Sequence, residues 1–123
     1  MNFNLRTSKY AAESLRQLHA ATSITPNLLI RFAVSLSLRK PEQVEVNTKE
    51  HSDGLTLHRS TVTGNYDNVY FALIAQHCRR EITDTEYFPG LFNAHLERGI
   101  RLLNAEYKTA TNSERFFKTL MSI

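Results

Sequence analysis

The sequence has 123 residues, 41% of them hydrophobic and 22% charged, which is typical of one globular domain over 1–123 and excludes a disordered chain. No apolar run approaches the roughly 20 residues of a membrane-spanning helix, and the first residues lack the apolar stretch of a secretory signal, so we expect a cytoplasmic protein without membrane contact. The net charge of +3 is concentrated at the start, because residues 1–40 contain six basic side chains and one acidic side chain, and a polyanionic partner is expected to bind there.

The N-terminal residues 2–6 alternate between apolar and polar side chains. Phe3 and Leu5 fall on one face, and Asn2, Asn4 and Arg6 fall on the other. This alternation predicts a short, half-buried strand. No second strand is adjacent in sequence, so the strand needs a partner from elsewhere.

The first predicted helix spans about residues 8–21. Thr7 or Ser8 can cap it with a hydroxyl group. Its core-facing positions then recur at the spacing of one helix face, and they are Ala11, Leu15, Leu18 and Thr22. This spacing is typical of an amphipathic helix.

The second predicted helix begins at Thr25-Pro26 and continues to about Leu38. Threonine can cap a helix, and proline at its first position gives up no N–H that the helix needs. Arg31 is the only charged residue between these bounds, and the apolar residues cover more than one face. We therefore expect this helix either at the centre of a large core or in a subunit interface.

A polar loop from Lys40 to Asp53 is predicted to precede a helical C-terminal part over 54–120. Residues 54–64 carry apolar side chains at alternate positions, which favours an extended segment. About three further helices follow, and the middle one can be interrupted at Pro89-Gly90. Each begins at a residue that can cap it: Asn65 or Asp67, then Asp84 or Thr85, then Thr111 in a Thr-x-x-Glu capping box. The predicted fold class is mainly α.

Residues 1–40, with a short strand, a capped helix and a second apolar helix, resemble the ribbon-helix-helix module of the Arc and MetJ repressors. The resemblance implies that strands from two chains pair into an antiparallel ribbon that enters the DNA major groove. Asn2, Asn4 and Arg6 would then project toward base edges, for which Asn and Arg are suited. The alternative is that these three side chains are only solvated.

Three passages, taken in their order and spacing, also resemble a known family. They are Thr25-Pro26-Asn27 leading into Leu29-x-Arg31-Phe32-Ala33-x-Ser35-Leu36, the Thr63-Gly64 turn, and Asn93-Ala94-His95-Leu96-Glu97-Arg98-Gly99. Over about residues 3–120 the chain is similar to the DndE family of bacterial DNA phosphorothioation systems. It departs from that family at Ile30 and Val34, where cysteines are frequent, and after Gly64, where an acidic residue is usual.

The resemblance to the DndE family implies a small helical protein that forms a homo-oligomer, a dimer or a tetramer, and binds duplex or nicked duplex DNA. It also implies that the protein acts beside the other proteins of the phosphorothioation system. The basic side chains available for DNA contact are Lys9, Arg16, Arg31, Arg39 and Lys40. The N-terminus of the second helix, at Thr25 to Asn27, can hold a phosphate through free backbone N–H groups.

Residues 97–106 contain a glycine and several charges within a helical pattern. Glycine inside a helix costs about 1 kcal/mol relative to alanine, so Gly99 indicates close approach of another helix. Arg98 and Arg101 are close enough in sequence to Glu97 and Glu106 to pair with them. We expect structural ion pairs here rather than phosphate contacts.

Cys78 is the only cysteine, which excludes an internal disulfide and a cysteine-rich zinc site. It lies between His77 and Arg79-Arg80, and neighbouring cations can lower the pKa of a thiol and prepare it to carry sulfur. The commoner explanation is a small residue buried at the end of a helix. We favour the second.

No metal or cofactor motif is present in the sequence. Four of the histidines are considered as metal ligands, and their spacing fits no metal-binding pattern: His51, His58, His77 and His95. Phosphate-binding and dinucleotide-binding glycine loops are absent. A DNA-nicking enzyme would need acidic metal ligands, and the acidic residues Asp67, Asp84 and Glu86 follow no recognised pattern of such ligands.

The function predicted from the sequence is a non-enzymatic DNA-binding subunit that contacts phosphates through basic residues. The first alternative is a protein–protein scaffold of the modification complex without direct DNA contact. The second is an enzyme that nicks DNA or relays sulfur through Cys78.

Overall fold

The computed structural model of the protein describes residues 4–46, 53–110 and 112–122, so Asn2, Phe3, His51 and Thr111 lie outside the described residues. The described part is mainly helical with a small two-stranded sheet, which confirms the predicted fold class. The strands are β1 (Asn4–Arg6) and β2 (Thr56–His58). The helices, in chain order, are α1 (Lys9–Thr22), α2 (Pro26–Leu38), α3 (Arg59–Thr63), α4 (Asp67–Cys78), α5 (Phe92–Ala110) and α6 (Ser113–Met121).

β1 pairs with β2 of the same chain in an antiparallel arrangement. The register places three pairs of residues opposite each other, which are Asn4 with His58, Leu5 with Leu57, and Arg6 with Thr56. Leu5 is buried whereas Asn4 and Arg6 are exposed, so the predicted alternation of faces is confirmed at these positions. The inference that β1 needs a strand from a second chain is wrong, because β2 of the same chain is its partner.

The segment that supplies β2 is extended over three residues only. α3 follows β2 directly, and a 3-10 turn over Gly64–Tyr66 follows α3. The prediction of an extended segment over 54–64 is therefore wrong beyond β2. The hydroxyl group of Thr63 donates to the carbonyl oxygen of Arg59 at 2.8 Å, so this threonine bonds within a helical turn instead of a sheet.

α1 begins and ends within one residue of the predicted bounds. Ser8 is its N-cap, because the Ser8 Oγ accepts a hydrogen bond from the Ala11 N–H at 3.1 Å. Ser23 ends the helix in a left-handed conformation with a φ of 62°. The predicted apolar face is buried, with Leu15 and Leu18 in the core.

α2 lies at the centre of the core, which is one of the two places expected for so apolar a helix. Leu29, Ile30, Ala33 and Val34 are fully buried, and the helix packs against α1, α3 and α5. Leu28 is 44% exposed. Because its own chain covers most of α2, the apolar composition of this helix gives no reason to place it in a subunit interface.

Gly99 lies on the face of α5 that packs against α2. The residue is buried, and a Cβ atom added to it would overlap the backbone carbonyl of Ala33. The predicted close approach of another helix at Gly99 is confirmed, and α2 is that helix.

The chain bends between α4 and α5 through a π-helical turn over Glu86–Leu91. Phe88 has extended backbone angles within it, and a cis peptide bond joins Phe88 to Pro89. The predicted interruption at Pro89-Gly90 is therefore confirmed. Tyr87 and Phe88 are buried beside the first residue of α5, Phe92.

Two predicted helix caps are wrong. α4 begins at Asp67 without a side-chain cap from Asn65 or from Asp67 itself. α6 is capped by Asn112, whose side-chain oxygen accepts a hydrogen bond from the Arg115 N–H at 2.9 Å. Asparagine caps a helix at least as well as threonine does, so the cap lies one residue after the predicted Thr111.

Candidate nucleic-acid interface

Four of the predicted DNA-binding cations lie on the surface of the α1–α2 pair. Lys9 and Arg16 are seven residues apart on the exposed face of α1. Arg39 and Lys40 directly follow the C-terminus of α2, and both are exposed. α1 has its buried face turned away from Lys9 and Arg16, so folding leaves all four cations in contact with solvent.

These cations have no carboxylate partners in the part of the chain that the structure describes. Its ion pairs join residues further along the chain, namely Arg59 with Asp67 and Asp84, Arg80 with Glu86, and Lys118 with Glu114. Lys9, Arg16, Arg39 and Lys40 join none of these pairs. Their positive charge is therefore available to an anion from outside the chain.

Arg31 differs from the other predicted cations because it is half-buried and held in place. Its Nε–H donates to the carbonyl oxygen of Val62, the last residue but one of α3, at 2.9 Å. The guanidinium lies beside Gly64, where an added Cβ atom would be 2.7 Å from the Arg31 Nη2. Arg31, like the surface cations, forms no ion pair within the described residues.

The first turn of α2 contains the other two predicted site residues at this end of the helix. Thr25 is the N-cap residue, but its side chain makes no capping hydrogen bond. Asn27 is half-buried and precedes Arg31 by four residues, so the two side chains share a face of α2. The structure therefore places Thr25 and Asn27 at the N-terminal end of α2, Arg31 near its middle, and Arg39 and Lys40 just after its C-terminus. Arg31 and Arg39 are about 12 Å apart along the helix axis.

The polar face of β1, which is predicted to read bases, carries Asn4 and Arg6, and Arg6 also bonds to its own sheet. The Arg6 Nε–H donates to the Thr56 Oγ1 on β2 at 3.1 Å. The Arg6 carbonyl accepts a hydrogen bond from the Asn93 side chain of α5 at 3.1 Å. Arg6 thus lies along its own sheet, and Asn4 is exposed beside it.

The charged residues of α5 bind the ends of neighbouring helices, so the predicted ion pairs between them are wrong. Glu97 accepts hydrogen bonds from the Ser8 N–H at 3.0 Å and the Ser8 Oγ–H at 2.6 Å, at the N-terminus of α1. Arg98 donates to the carbonyl oxygens of Ser37 and Glu42, both at 2.6 Å, at the C-terminus of α2. Helix N-termini attract anions and C-termini attract cations, which explains both choices. The Arg101 guanidinium lies over the Tyr10 ring, 5.3 Å from its centroid.

Arg59 forms the densest charge cluster in the described part of the chain. Its Nη2 lies 2.7 Å from carboxylate oxygens of both Asp67 and Asp84. Hydrogen bonds from Arg59 lower the pKa of both carboxyl groups, and those bonds raise the pKa of Arg59 itself. The Tyr87 hydroxyl also donates to Asp67, at 3.1 Å. This cluster connects α3 and α4 to the segment before α5. Its role is structural, because the two carboxylates already neutralise the charge of Arg59.

Replacing Arg59 with methionine is expected to lower the free energy of unfolding by about 2 kcal/mol, because Asp67 and Asp84 lose their charge-assisted hydrogen bonds. Asp84 is 39% exposed, and water can solvate it, so the loss stays below that of a fully buried pair. Urea unfolding at neutral pH measures the change. Arg80→Met is the matched control, because the Arg80–Glu86 pair is largely exposed and should contribute much less. Equal losses in the two variants would contradict the prediction.

His77 and His95, which lie on different helices, meet in the structure. Their rings are perpendicular, with centroids 4.8 Å apart. The His95 Nδ1 is 2.8 Å from the Ser37 Oγ, and the His77 Nε2 is 2.6 Å from the Lys40 carbonyl oxygen. Among the described residues, no group of three or more histidine, cysteine, aspartate or glutamate side chains is arranged to hold a metal ion. Sequence spacing gave no signal for this pair, because α4 and α5 meet only through the fold.

Burial raises the pKa of the Cys78 thiol, and the nearby charge of Arg80 offsets only part of that effect. The thiolate that sulfur transfer requires is therefore disfavoured at neutral pH.

Among the helices that the structure describes, none is long and apolar enough to cross a membrane.

Comparisons with known proteins agree with one another. A family model described as DNA sulphur modification protein DndE matches residues 4–111 of this chain. The chain is similar to the crystal structure of DndE from Escherichia coli B7A, described as involved in DNA phosphorothioation modification, with 22% identity and a TM-score of 0.66 over 84% of this chain and 97% of that chain. A mutant DndE involved in DNA phosphorothioation is similar at 19% identity and a TM-score of 0.64, over 85% and 99% of the two chains. At these identities both structures share the fold with this chain, and no curated protein matches it.

Proposed function

Because the chain belongs to the DndE family of DNA sulphur modification proteins, we propose that it is a non-enzymatic, DNA-binding subunit of a DNA phosphorothioation system. Its ligand is double-stranded or nicked DNA, its protein partners are the other proteins of that system, and its location is the cytoplasm. It acts as a homo-oligomer, a dimer or a tetramer. The disfavoured thiolate of Cys78 is the reason to leave sulfur transfer by this chain out of the proposal.

One observation carries the proposal: five cations of the first 40 residues have no carboxylate partner among the described residues, while four acidic residues further along the chain have partners of their own. Lys9, Arg16, Arg31, Arg39 and Lys40 join no ion pair there. Asp67, Asp84 and Glu86 are paired with arginines, and Glu97 is bound to Ser8. Unpaired basic side chains can displace the counterions of DNA phosphates, which supplies affinity without reading the sequence.

Phosphate contact also explains why a base-reading ribbon is not required. Arg31 and Arg39 are about 12 Å apart along α2, which is the axial rise of about three to four base pairs, so both cations can reach one duplex. Contact of this kind depends on the spacing of phosphates and not on base identity. It is therefore compatible with nicked as well as intact duplex DNA.

The proposed DNA binding is tested by a mobility-shift assay and a salt titration with intact and nicked duplexes of one length. We expect a complex at low salt, and the logarithm of its binding constant should fall linearly with the logarithm of salt concentration. Each phosphate contact removed should reduce that slope by about 0.9. The variant combines four alanine substitutions, at Lys9, Arg16, Arg39 and Lys40.

A control removes two cations from the other end of the chain, with alanine at Lys108 and Arg115, and the two variants are compared per charge removed. Both residues are exposed, and neither forms an ion pair within the described residues. We expect the control to bind DNA as the wild-type protein does. Absence of any complex between wild-type protein and either duplex at low salt would overturn the proposed function.

A second candidate function, a protein–protein scaffold, is favoured by the exposed apolar residues at the start of α4. Tyr66, Val69 and Leu73 recur at helical spacing and are 57%, 52% and 41% exposed. Such a stripe is typical of a protein contact, either with another phosphorothioation protein or with a second copy of this chain. The stripe replaces α2 as the proposed oligomer contact.

Replacing Val69 and Leu73 together with aspartate is expected to abolish that contact, because two charges would be buried in an apolar interface. Light scattering gives the subunit number, and co-purification with the other phosphorothioation proteins gives the hetero-contact. Gln76→Asp, at an exposed polar position of the same helix, is the control. Unchanged subunit number together with unchanged co-purification would exclude α4 as the contact.

A further inference from the structure

We propose that Gly64 is a positioning residue for Arg31, and that the guanidinium held in this way binds one phosphodiester group of DNA. This inference rests on the proposed DNA binding and adds to it the atoms that prepare one contact. It distinguishes Arg31 from the other cations of the first 40 residues, which lie on the surface.

One edge of the Arg31 guanidinium is anchored by the protein. Its Nε–H donates to the Val62 carbonyl oxygen at 2.9 Å, and Val62 is fully buried. A guanidinium has five N–H donors in a planar fork. The remaining four N–H donors of Arg31 have no acceptor among the described residues. They can therefore form the paired hydrogen bonds that a guanidinium makes with phosphate oxygens.

The other half-buried arginines of the described residues already have acceptors. Arg59 donates to two carboxylates, and Arg98 donates to backbone carbonyl oxygens and to the Ser37 hydroxyl. Tyr70 is an ionisable residue that interacts electrostatically with Arg31, and burial raises the pKa of its hydroxyl. Tyr70 therefore stays a neutral phenol at physiological pH and leaves the charge of Arg31 uncompensated.

Gly64 provides the space that the guanidinium occupies. A Cβ atom at this position would be 2.7 Å from the Nη2 and 3.6 Å from the Cζ of Arg31. Gly64 also has a φ of 56°, which side-chain-bearing residues rarely adopt. Because the contact is to the far end of a flexible side chain, alanine would push the guanidinium away from Val62 without opening the core.

A guanidinium that is already oriented loses less conformational entropy on binding than a free surface lysine or arginine does. We therefore expect Arg31 to contribute more to DNA affinity than any single surface cation of α1. The contribution should depend on the fork as well as on the charge, so lysine at this position should not replace it.

The test is a double-mutant cycle on full-length protein, with affinity for one duplex measured by fluorescence anisotropy at fixed salt. Arg31→Ala should lower affinity about tenfold or more, as expected for loss of a hydrogen bond to a charged group. Gly64→Ala should lower it by a similar factor. If Gly64 acts through Arg31, the double variant should be no weaker than Arg31→Ala alone. Additive losses would overturn the positioning role.

Two further measurements keep the proposal testable if Gly64→Ala folds poorly. Arg31→Lys, which preserves charge, should still lose at least about fivefold in affinity, whereas Arg16→Lys should lose almost none. In wild-type protein without DNA, nuclear magnetic resonance should show the Arg31 Nε–H protected from exchange, and an unprotected Nε–H would overturn the anchoring of Arg31.

The outcomes separate this inference from the proposed function. If the wild-type protein binds DNA and Arg31→Ala binds equally well, the inference is wrong and the proposed function stands. If the wild-type protein binds no DNA while the Nε–H is protected, the anchoring of Arg31 by Val62 stands, and the phosphodiester ligand and the proposed function are both wrong.

Discussion

Gly99→Ala is expected to lower the free energy of unfolding by about 3 kcal/mol, at the upper end of the range for overpacked cores. The added methyl group would overlap the backbone carbonyl of Ala33 on α2. A backbone carbonyl in a central helix cannot rotate away as a side chain can. α2 and α5 would have to separate along their whole contact, which outweighs the gain of about 1 kcal/mol in helix propensity.

Urea unfolding monitored by circular dichroism measures this loss, with Gly90→Ala as the matched control. A Cβ atom at Gly90 would meet only the side chain of Val46, at 3.2 Å. That side chain is exposed and can move, so we expect a change under about 1 kcal/mol. A Gly99→Ala protein that unfolds at the same urea concentration as wild type would show that the helices are not in tight contact.

The free energy of unfolding should fall as the pH falls below about 6.5, because His95 must stay neutral in the folded protein. His95 is fully buried, and burial, together with the charges of His77 and Arg98, lowers its pKa to about 3. The unfolded chain binds a proton near the usual pKa of about 6.5, so acid favours the unfolded state. The stability that neutral His95 contributes is complete above pH 6.5 and is lost progressively toward pH 3.

Each pH unit in that window costs at most about 1.4 kcal/mol for one group, so about 2 kcal/mol should be lost between pH 7 and pH 5. Thermal or urea unfolding across this range measures the slope. His95→Gln should flatten it, whereas His58→Gln, at an exposed position, should leave it unchanged. Comparison is confined to pH 5 and above, because the lowered pKa values of Asp67 and Asp84 add a loss of stability in stronger acid. The same slope in wild type and His95→Gln would rule out His95 as its source.

The helical part of the fold is predictable from the sequence because its signals are local. Ser8 caps α1 through an N–H three residues later, and Pro26 marks the start of α2. Gly99 is a local signal as well, because glycine lowers the stability of a helix and its presence within one indicates close packing. Each of these signals lies within the element that it defines.

The partners across the fold are not predictable from such patterns. β1 pairs with a strand fifty positions away, and its alternation shows which face is buried but not which segment covers it. Glu97 and Arg98 have oppositely charged neighbours in sequence, yet they bind helix ends on α1 and α2. An unsatisfied helix terminus exists only after the helices are in place, so no residue spacing can reveal it.

In the candidate site too, the residue types are predictable from the sequence and their contacts are not. Its residue types could be listed from the N-terminal charge, and five cations that form no ion pair within the described residues are found there. Arg31 differs from the other four only through Val62 and Gly64, which belong to a different helix and the turn after it. The sequence marks Gly64 as a turn residue, but only the fold shows that its missing side chain makes room for a guanidinium.

The hydrogen bonds between Ser8 and Glu97 have a consequence for folding during translation. The two residues are 89 positions apart, so at about 5–20 residues per second Glu97 is synthesised roughly 5–20 s after Ser8. Through that interval the nascent α1 lacks the carboxylate at its N-terminus, and the apolar surface of α2 lacks its cover from α5. The N-terminal half of the protein leaves the ribosome first but obtains its contacts with α5 only when synthesis is nearly finished. Chaperones can bind its exposed apolar surface during that interval.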